Sequence, residues 1–404
     1  MKPPPEPSHT ARRWGILLLL SLAELLGMSL WFTASAVAPQ LQALWGLSAQ
    51  QAGWLTTVVQ LGFVFGTAAA ALLNLADVVP ARSLFATSAL CAAAANALLV
   101  VAPGFAAALA LRFLTGFFLA GVYPPAMKMV ATWFRAGRGF AIGTVVGALT
   151  LGKATPYLTR ALDGADLRVV VLTASAGAVL SALLVGTGYR DGPFPFARRP
   201  FSWGLVSTIV RHRPTRLATA GYLGHMWELY AMWTWLPVFL AASAAAMGAR
   251  RPPELWVDLA AFGTIAAGAL GCVVGGWVAD RIGRARWVNL AMAVSGACCL
   301  GIGLLFGGSF WLLVGVAWVW GFFVVADSAQ FSAMVTEVAP GHAVGTALTL
   351  QTSLGFLLTM VTIQAVPALV EVVGWRWAFA VLALGPAAGI AATRQFARTE
   401  SRMG

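Results

Sequence analysis

Six ionisable residues of this 404-residue chain sit inside stretches that are otherwise apolar: Glu24, Arg112, Lys128, Lys153, Glu228 and Asp327. A charge at the middle of a bilayer costs about 2.5 to 3.5 kcal/mol on insertion scales, so such groups persist where they pair, bind or carry a proton. The acids can take and release a proton, and the bases can hold an anion. Glu24 and Glu228 lie about 10 and 11 residues into their stretches, which at about 1.5 Å per residue puts both roughly 15 Å deep, near the bilayer middle. Each is read either as a proton carrier or as a structural glutamate that is permanently protonated or ion-paired.

Lys153 stands between Gly152 and Pro156, residues that loosen a helix. Its ammonium has three readings: a partner for substrate charge, one side of an internal ion pair, or a lysine at the lipid interface. Lys128 lies near the end of its stretch and can snorkel to the surface. His225 and Glu228, three apart, share a helical face, so His225 is expected to hydrogen-bond Glu228 and tune its protonation. A metal would need a third and fourth ligand, and no spacing supplies them; no metal or cofactor is expected. Asp327, Gln330 and Gln351 add polar side chains on the opposite wall. Trp31, Tyr230 and Trp235 can form an aromatic collar for a solute, although anchoring at the interface is the default for membrane tryptophans. The four cysteines fall inside apolar stretches, without metal-ligand spacing, and indicate no disulfide framework.

The elements that carry these residues follow from composition. The chain is 59% hydrophobic and 10% charged, with a mean hydropathy of +0.81, whereas a soluble domain has about 25% charged residues. A spanning helix needs about 20 mostly apolar residues, and about twelve such stretches run from 14–38 to 375–393. Ala34-Ser35-Ala36 after a basic pair imitates a signal-peptide cleavage site, but the run before it is too long for a signal core and carries Glu24, so it is kept as the first helix. With both termini cytoplasmic, eighteen Lys and Arg residues fall on the inner side and five on the outer, the expected bias. The net charge of +12 is then accounted for by topology and by contact with anionic lipid, and not by nucleic acid.

The chain is also duplicated. Glu24-Leu-x-x-Met28-x-x-Trp31 returns as Glu228-Leu-x-x-Met232-x-x-Trp235, Gly116-Phe-Phe as Gly321-Phe-Phe, and Ala148-Leu-Thr-Leu as Ala347-Leu-Thr-Leu. Repeated halves are a signature of transporters. The expected fold is an all-α membrane protein of twelve transmembrane helices in two pseudo-symmetric six-helix bundles, at 1–190 and 217–404. A cytoplasmic linker at 191–216 joins them, with a short amphipathic helix near 201–210. Glycines on helices 2 (Gly62, Gly66), 5 (Gly143, Gly147) and 8 (Gly268, Gly271, Gly275, Gly276) are candidates for close packing between the bundles, or for ordinary helix packing.

Between the eighth and ninth stretches stands Gly276-Trp-Val-Ala-Asp280-Arg281-Ile-Gly283-Arg284. This string resembles the cytoplasmic loop signature of the major facilitator superfamily, and the resemblance implies a solute transporter. It further implies a gate latch built on Asp280, Arg281 and Arg284, with a decayed first-half copy that keeps only Asp77 and Arg82. It implies that helices 1, 4, 7 and 10 line a central cavity, with Glu24 facing Glu228 across it. Arg112-Phe-Leu-Thr-Gly116 is similar to the helix 4 motif of the superfamily's proton-driven members, so Arg112 is either part of proton coupling or a structural arginine bonded to carbonyls of helix 1. Gly143, Gly152 and Pro156 partly match the helix 5 motif of antiporters, with Thr155 as a departure.

The reading is a secondary transporter, not an enzyme, that works as a monomer in a bacterial inner membrane. It moves a small solute, an organic anion held by Lys153, by proton-coupled alternating access. Efflux of drugs or lipophilic cations is the second reading, and a non-transporting membrane sensor or assembly factor the third. If the intact loop latches one state, Asp280→Asn impairs transport far more than Asp77→Asn; equal losses of uptake rate in the two variants would remove that asymmetry.

Overall fold

The computed structural model describes residues 7–73, 75–134, 137–162, 166–194, 203–340 and 343–400. Twelve long helices cross the molecule: α1 (Pro7–Met28), α2 (Ala49–Leu72), α3 (Ala81–Val101), α4 (Phe105–Ala131), α5 (Arg138–Leu162), α6 (Leu167–Gly188), α7 (Arg213–Ala246), α8 (Glu254–Ile282), α9 (Arg284–Leu305), α10 (Phe310–Val338), α11 (Val344–Val373) and α12 (Trp375–Thr399). Ten of them are long and apolar enough to span a membrane by length and composition alone. The other two, α1 and α5, carry Glu24 and Lys153, and these charges lower their hydropathy. No strand occurs among the described residues. The fold is all-α, with six helices in each half, as the duplicated sequence requires.

Local chemistry explains the joints. α2 starts at a capping box, in which Ser48 Oγ accepts from the Gln51 amide and Gln51 Oε1 accepts from the Ser48 amide. One residue, Gly283, separates α8 from α9 at φ +91°, a conformation that side chains with a Cβ rarely adopt; the glycine of the loop string is therefore required by the turn. A short helix, Trp203–Arg211, occupies the expected linker position, although residues 195–202 lie outside the described segments.

Among the described residues, three helices are interrupted within the bundle. α1 stops at Met28 and resumes as Thr33–Ala36. α4 is interrupted between Leu119 and Tyr123, where Pro124 and Pro125 open its second segment. α10 is interrupted at Asp327, between Phe310–Ala326 and Ser328–Val338. Each interruption leaves backbone groups without helical partners, which must be met inside the protein because lipid cannot meet them.

The duplication is visible in packing. A Cβ on Gly66 would meet the Phe117 carbonyl, and one on Gly271 the Phe322 carbonyl; Gly116 lies on Val59, and Gly321 on Thr264. Every pair is related by the same sequence offset, so α2 crosses α4 as α8 crosses α10. This corrects the expectation for most of the glycines. Gly62, Gly66, Gly271 and Gly275 pack inside their own bundles, and Gly276 faces open space. Contacts across the midline belong to Gly143 and Gly147 of α5, against the Cys272 and Ala269 carbonyls of α8, and to Gly268, which meets Thr150.

Polar contacts also join the halves on the face away from the termini. Arg160 on α5 pairs with Asp258 on α8 at 3.2 Å and donates to the Ala36 carbonyl at 2.9 Å. Gln364 on α11 donates to Thr57 on α2 at 2.9 Å. The Trp235 indole donates to the Ile363 carbonyl at 2.8 Å, and its ring lies against Gly53 of the other half. Gly116→Val and Gly321→Val should each cost about 1 to 3 kcal/mol by overpacking, while Gly276→Val should cost little. Thermal unfolding of the purified variants checks this, and equal melting temperatures for all three would refute the crossing geometry.

Candidate functional site

Arg112 is the first side chain to place, because it fixes the broken end of α1. Its guanidinium is fully buried and donates to the Leu30 carbonyl at 3.0 Å, the Trp31 carbonyl at 2.5 Å, the Leu55 carbonyl at 3.5 Å and Asn96 Oδ1 at 2.9 Å. A planar fork of five donors is suited to such a set of carbonyls. Of the two expected roles, the bonds are those of the structural arginine. Asn96 is itself held by donating to the Val171 carbonyl and Ser175.

With α1 held open there, Trp31 turns toward Lys153. Gly152 lies directly on the Leu25 backbone, which lets α5 approach α1 closely enough for the next residue to reach this point. Lys153 is 3% exposed. Its Nζ lies 4.4 Å from the centre of the Trp31 ring, 4.8 Å from that of Tyr230 and 5.2 Å from that of Trp233. It donates to Tyr230 Oη at 2.6 Å, across the two halves. Phe63 of α2 and Phe356 of α11, 4.8 Å apart, extend the aromatic wall, and Trp31 packs on both. Glu24 is 0% exposed, and neither of its oxygens has a hydrogen-bond partner. Lys153 is the counter-charge that acts on it, yet the two form no ion pair within 4.0 Å. The internal ion-pair reading of Lys153 therefore loses its simplest partner.

Glu228 does not face Glu24 across a pathway. Its carboxylate points into the second bundle, where it accepts from Trp320 Nε1, from Ser295 Oγ at 3.0 Å and from Cys299 Sγ at 3.2 Å. Depth along a helix set the expectation, and rotation about the helix axis overturned it. His225 does not bond Glu228 either: its Nδ1 lies 2.9 Å from Asp327 Oδ1 on α10.

The remaining polar candidates divide. Gln330 accepts from Arg284 at 2.7 Å, so it serves the loop and not a solute wall. Gln351 is buried with both amide atoms unpartnered, as is Gln60 on α2. Trp235 seals the face away from the termini, as described above. In the loop, Arg284 is 4.0 Å from Asp280 but 2.8 Å from Glu337, so the acid that holds it most closely is on α10. Arg281 caps its own helix through the Trp277 carbonyl and stacks on the Trp277 ring at 3.5 Å. Arg82 is exposed. Asp77 falls in a short helix, Leu75–Val78, and its side chain lies outside what the structure describes.

Sequence reasoning did not single out Phe63, Trp233, Phe356, Gln60, Asn96, Glu337 or the Arg160–Asp258 pair. The partial signals were present: Asn96 is a lone amide in an alanine-rich span, and Arg160 and Asp258 lie near helix ends on the side with few charges.

Comparison with known families agrees with this architecture. The model of the Major Facilitator Superfamily matches residues 19–250 and 254–401, nearly the whole chain. No curated protein matches the sequence. The chain belongs to the major facilitator superfamily, a family of secondary transporters of small solutes.

Proposed function

We propose that this protein moves a small organic anion by proton-coupled alternating access, with Lys153 as the partner of the substrate's charge and Glu24 as a proton carrier. One observation carries the reading. The Lys153 ammonium has three donors and one acceptor, Tyr230 Oη, so two donors remain for an anion at the junction of the halves. Tyr230 belongs to the second half, so an anion that draws Lys153 toward itself also changes a contact between the halves.

The parts divide as follows. Residues 1–190 and 217–404 are the moving units, and 191–216 is their link. Trp31, Tyr230 and Gln351 border the solute, while Arg112 holds the helix that presents Trp31. Arg284, with Asp280 and Glu337, latches the terminal face. That face is cytoplasmic, by the excess of basic residues in its loops, in a bacterial inner membrane. Glu228 and His225 remain candidates for proton handling, with the partners described above.

A second reading is favoured by one feature. Glu24 is a buried carboxylate with both oxygens unpartnered, which suits a cationic solute, and the direction of transport would then be outward.

The deciding measurement is the melting temperature of the purified protein in the presence of matched carboxylates and organic cations. A ligand of the folded state at a hundred times its Kd adds about 2.7 kcal/mol of stability. A carboxylate is expected to stabilise the protein and to lose that effect in Lys153→Ala. An unchanged effect in that variant would overturn the assignment, and stabilisation by a cation that disappears in Glu24→Gln would establish efflux. In proteoliposomes, Glu24→Gln is expected to abolish uptake driven by a pH gradient and to retain exchange of labelled for unlabelled solute. Full gradient-driven uptake in this variant would remove Glu24 from the proton path.

A further inference from the structure

His225, a candidate for proton handling, forms a buried pair with Asp327. Both are 2% exposed, and His225 Nδ1 lies 2.9 Å from Asp327 Oδ1. The approach is a charge contact and not an aligned hydrogen bond, since Asp327 Oδ1 and the other ring nitrogen, Nε2, are both buried without a hydrogen-bond partner. The imidazole packs in a cluster of three rings, with Tyr222 at 6.0 Å, Phe331 at 5.6 Å and those two 6.0 Å from each other. Phe331 and Asp327 both belong to α10, so the histidine touches that helix on both sides of one turn.

Asp327 is the residue at which α10 is interrupted. The break leaves the Ala326 carbonyl free to accept from Trp287 Nε1 at 2.9 Å. Beyond it, the segment Ser328–Val338 carries Gln330 and Glu337, and both are held by Arg284. One short helical piece therefore joins the buried pair at its start to the terminal-face latch near its end. The arrangement has no counterpart in the first half. At the equivalent places there, by the offsets of 204 and 205 that relate the repeats, stand Ser21 and Val122, and neither can titrate.

We propose that the His225–Asp327 pair is a proton-binding site whose occupancy sets the angle of the second segment of α10, and through it the state of the Arg284 latch. The proposal deepens the proton-coupled reading and rests on it. With a proton, histidine and aspartate form an ion pair of no net charge, and the segment is held to α7. Without it, a lone carboxylate beside neutral imidazole has no cation, and the hold weakens. The titratable groups around the pair are Tyr222 and Glu228 on α7 and Cys272 on α8. Lys153 on α5 acts on the same Cys272, and Arg284 on α9 is reached through Gln330.

The test is a distance measurement between spin labels in the purified full-length chain, with no solute added. Labels go on Gly139→Cys and Thr336→Cys, both exposed, in a Cys91→Ser background, because the other three cysteines are buried. The range is about pH 5 to 8, where histidine changes charge. The parent is expected to move between two distance distributions across that range. Asp327→Asn and His225→Gln, neither of which can form the ion pair, are both expected to keep the high-pH distribution throughout. A parent whose distribution does not change with pH overturns the proposal by itself, as does a parent shift that both variants retain. Either result leaves the anion site standing, since that site is read separately by carboxylate stabilisation; loss of the anion site would equally leave this switch in place.

Discussion

The broken end of α1, held by one arginine, is the constraint on which the interior depends. A helix that stops inside a membrane protein's bundle leaves carbonyls that lipid cannot satisfy. Here Arg112 takes two of them, at Leu30 and Trp31, and is itself oriented by Asn96. The turn that follows presents Trp31 to Lys153 and brings Ala36 to Arg160. Without that arginine, the aromatic box and the contact at the far face would both lose their scaffold. The charge that looks most expensive in the chain is thus the one that makes the others possible.

Charge within the membrane is handled in three ways in this molecule. Arg112 is saturated with acceptors, as a structural cation should be. Glu228 is surrounded by donors from Trp320, Ser295 and Cys299. Glu24 and Lys153 are left short of partners near the junction of the halves, where moving helices and a solute can complete them.

Much of this was legible in the sequence, for physical reasons. Apolar length marks spans, and the duplicated strings predicted two halves of six helices; the glycine crossings of α2 with α4 and of α8 with α10 repeat at the offset of the Gly-Phe-Phe string. The loop string was readable because a one-residue joint between two helices demands a glycine, and Gly283 is that glycine. Direction was less legible. Depth follows from counting residues, but a helix that is apolar all round has no polar face to reveal which side a single acid takes, so Glu228 was aimed at the wrong neighbour. Pairing across helices was equally hidden: His225 and Asp327 are far apart in sequence, on α7 and at the break in α10, and meet only through the packing of the two helices. Of the glycines, Gly143, Gly147 and Gly268 meet the other half, Gly62, Gly66, Gly271 and Gly275 pack within their own, and Gly276 packs on nothing, because spacing shows that a backbone can approach and not which one does.

The contact between α5 and α8 has a mechanical consequence. Where Gly143 and Gly147 meet α8, the nearest atoms are the backbone carbonyls of Cys272 and Ala269, with the Val273 side chain beside Gly147. Interlocked side chains resist sliding because every step requires repacking. A smooth face of glycine against peptide behaves instead as a bearing: it holds two bodies close and lets one turn on the other at little cost in lost contacts. The stiffness of the molecule is then concentrated in its polar clasps, and the speed of any rocking motion is set by how those few clasps open and close.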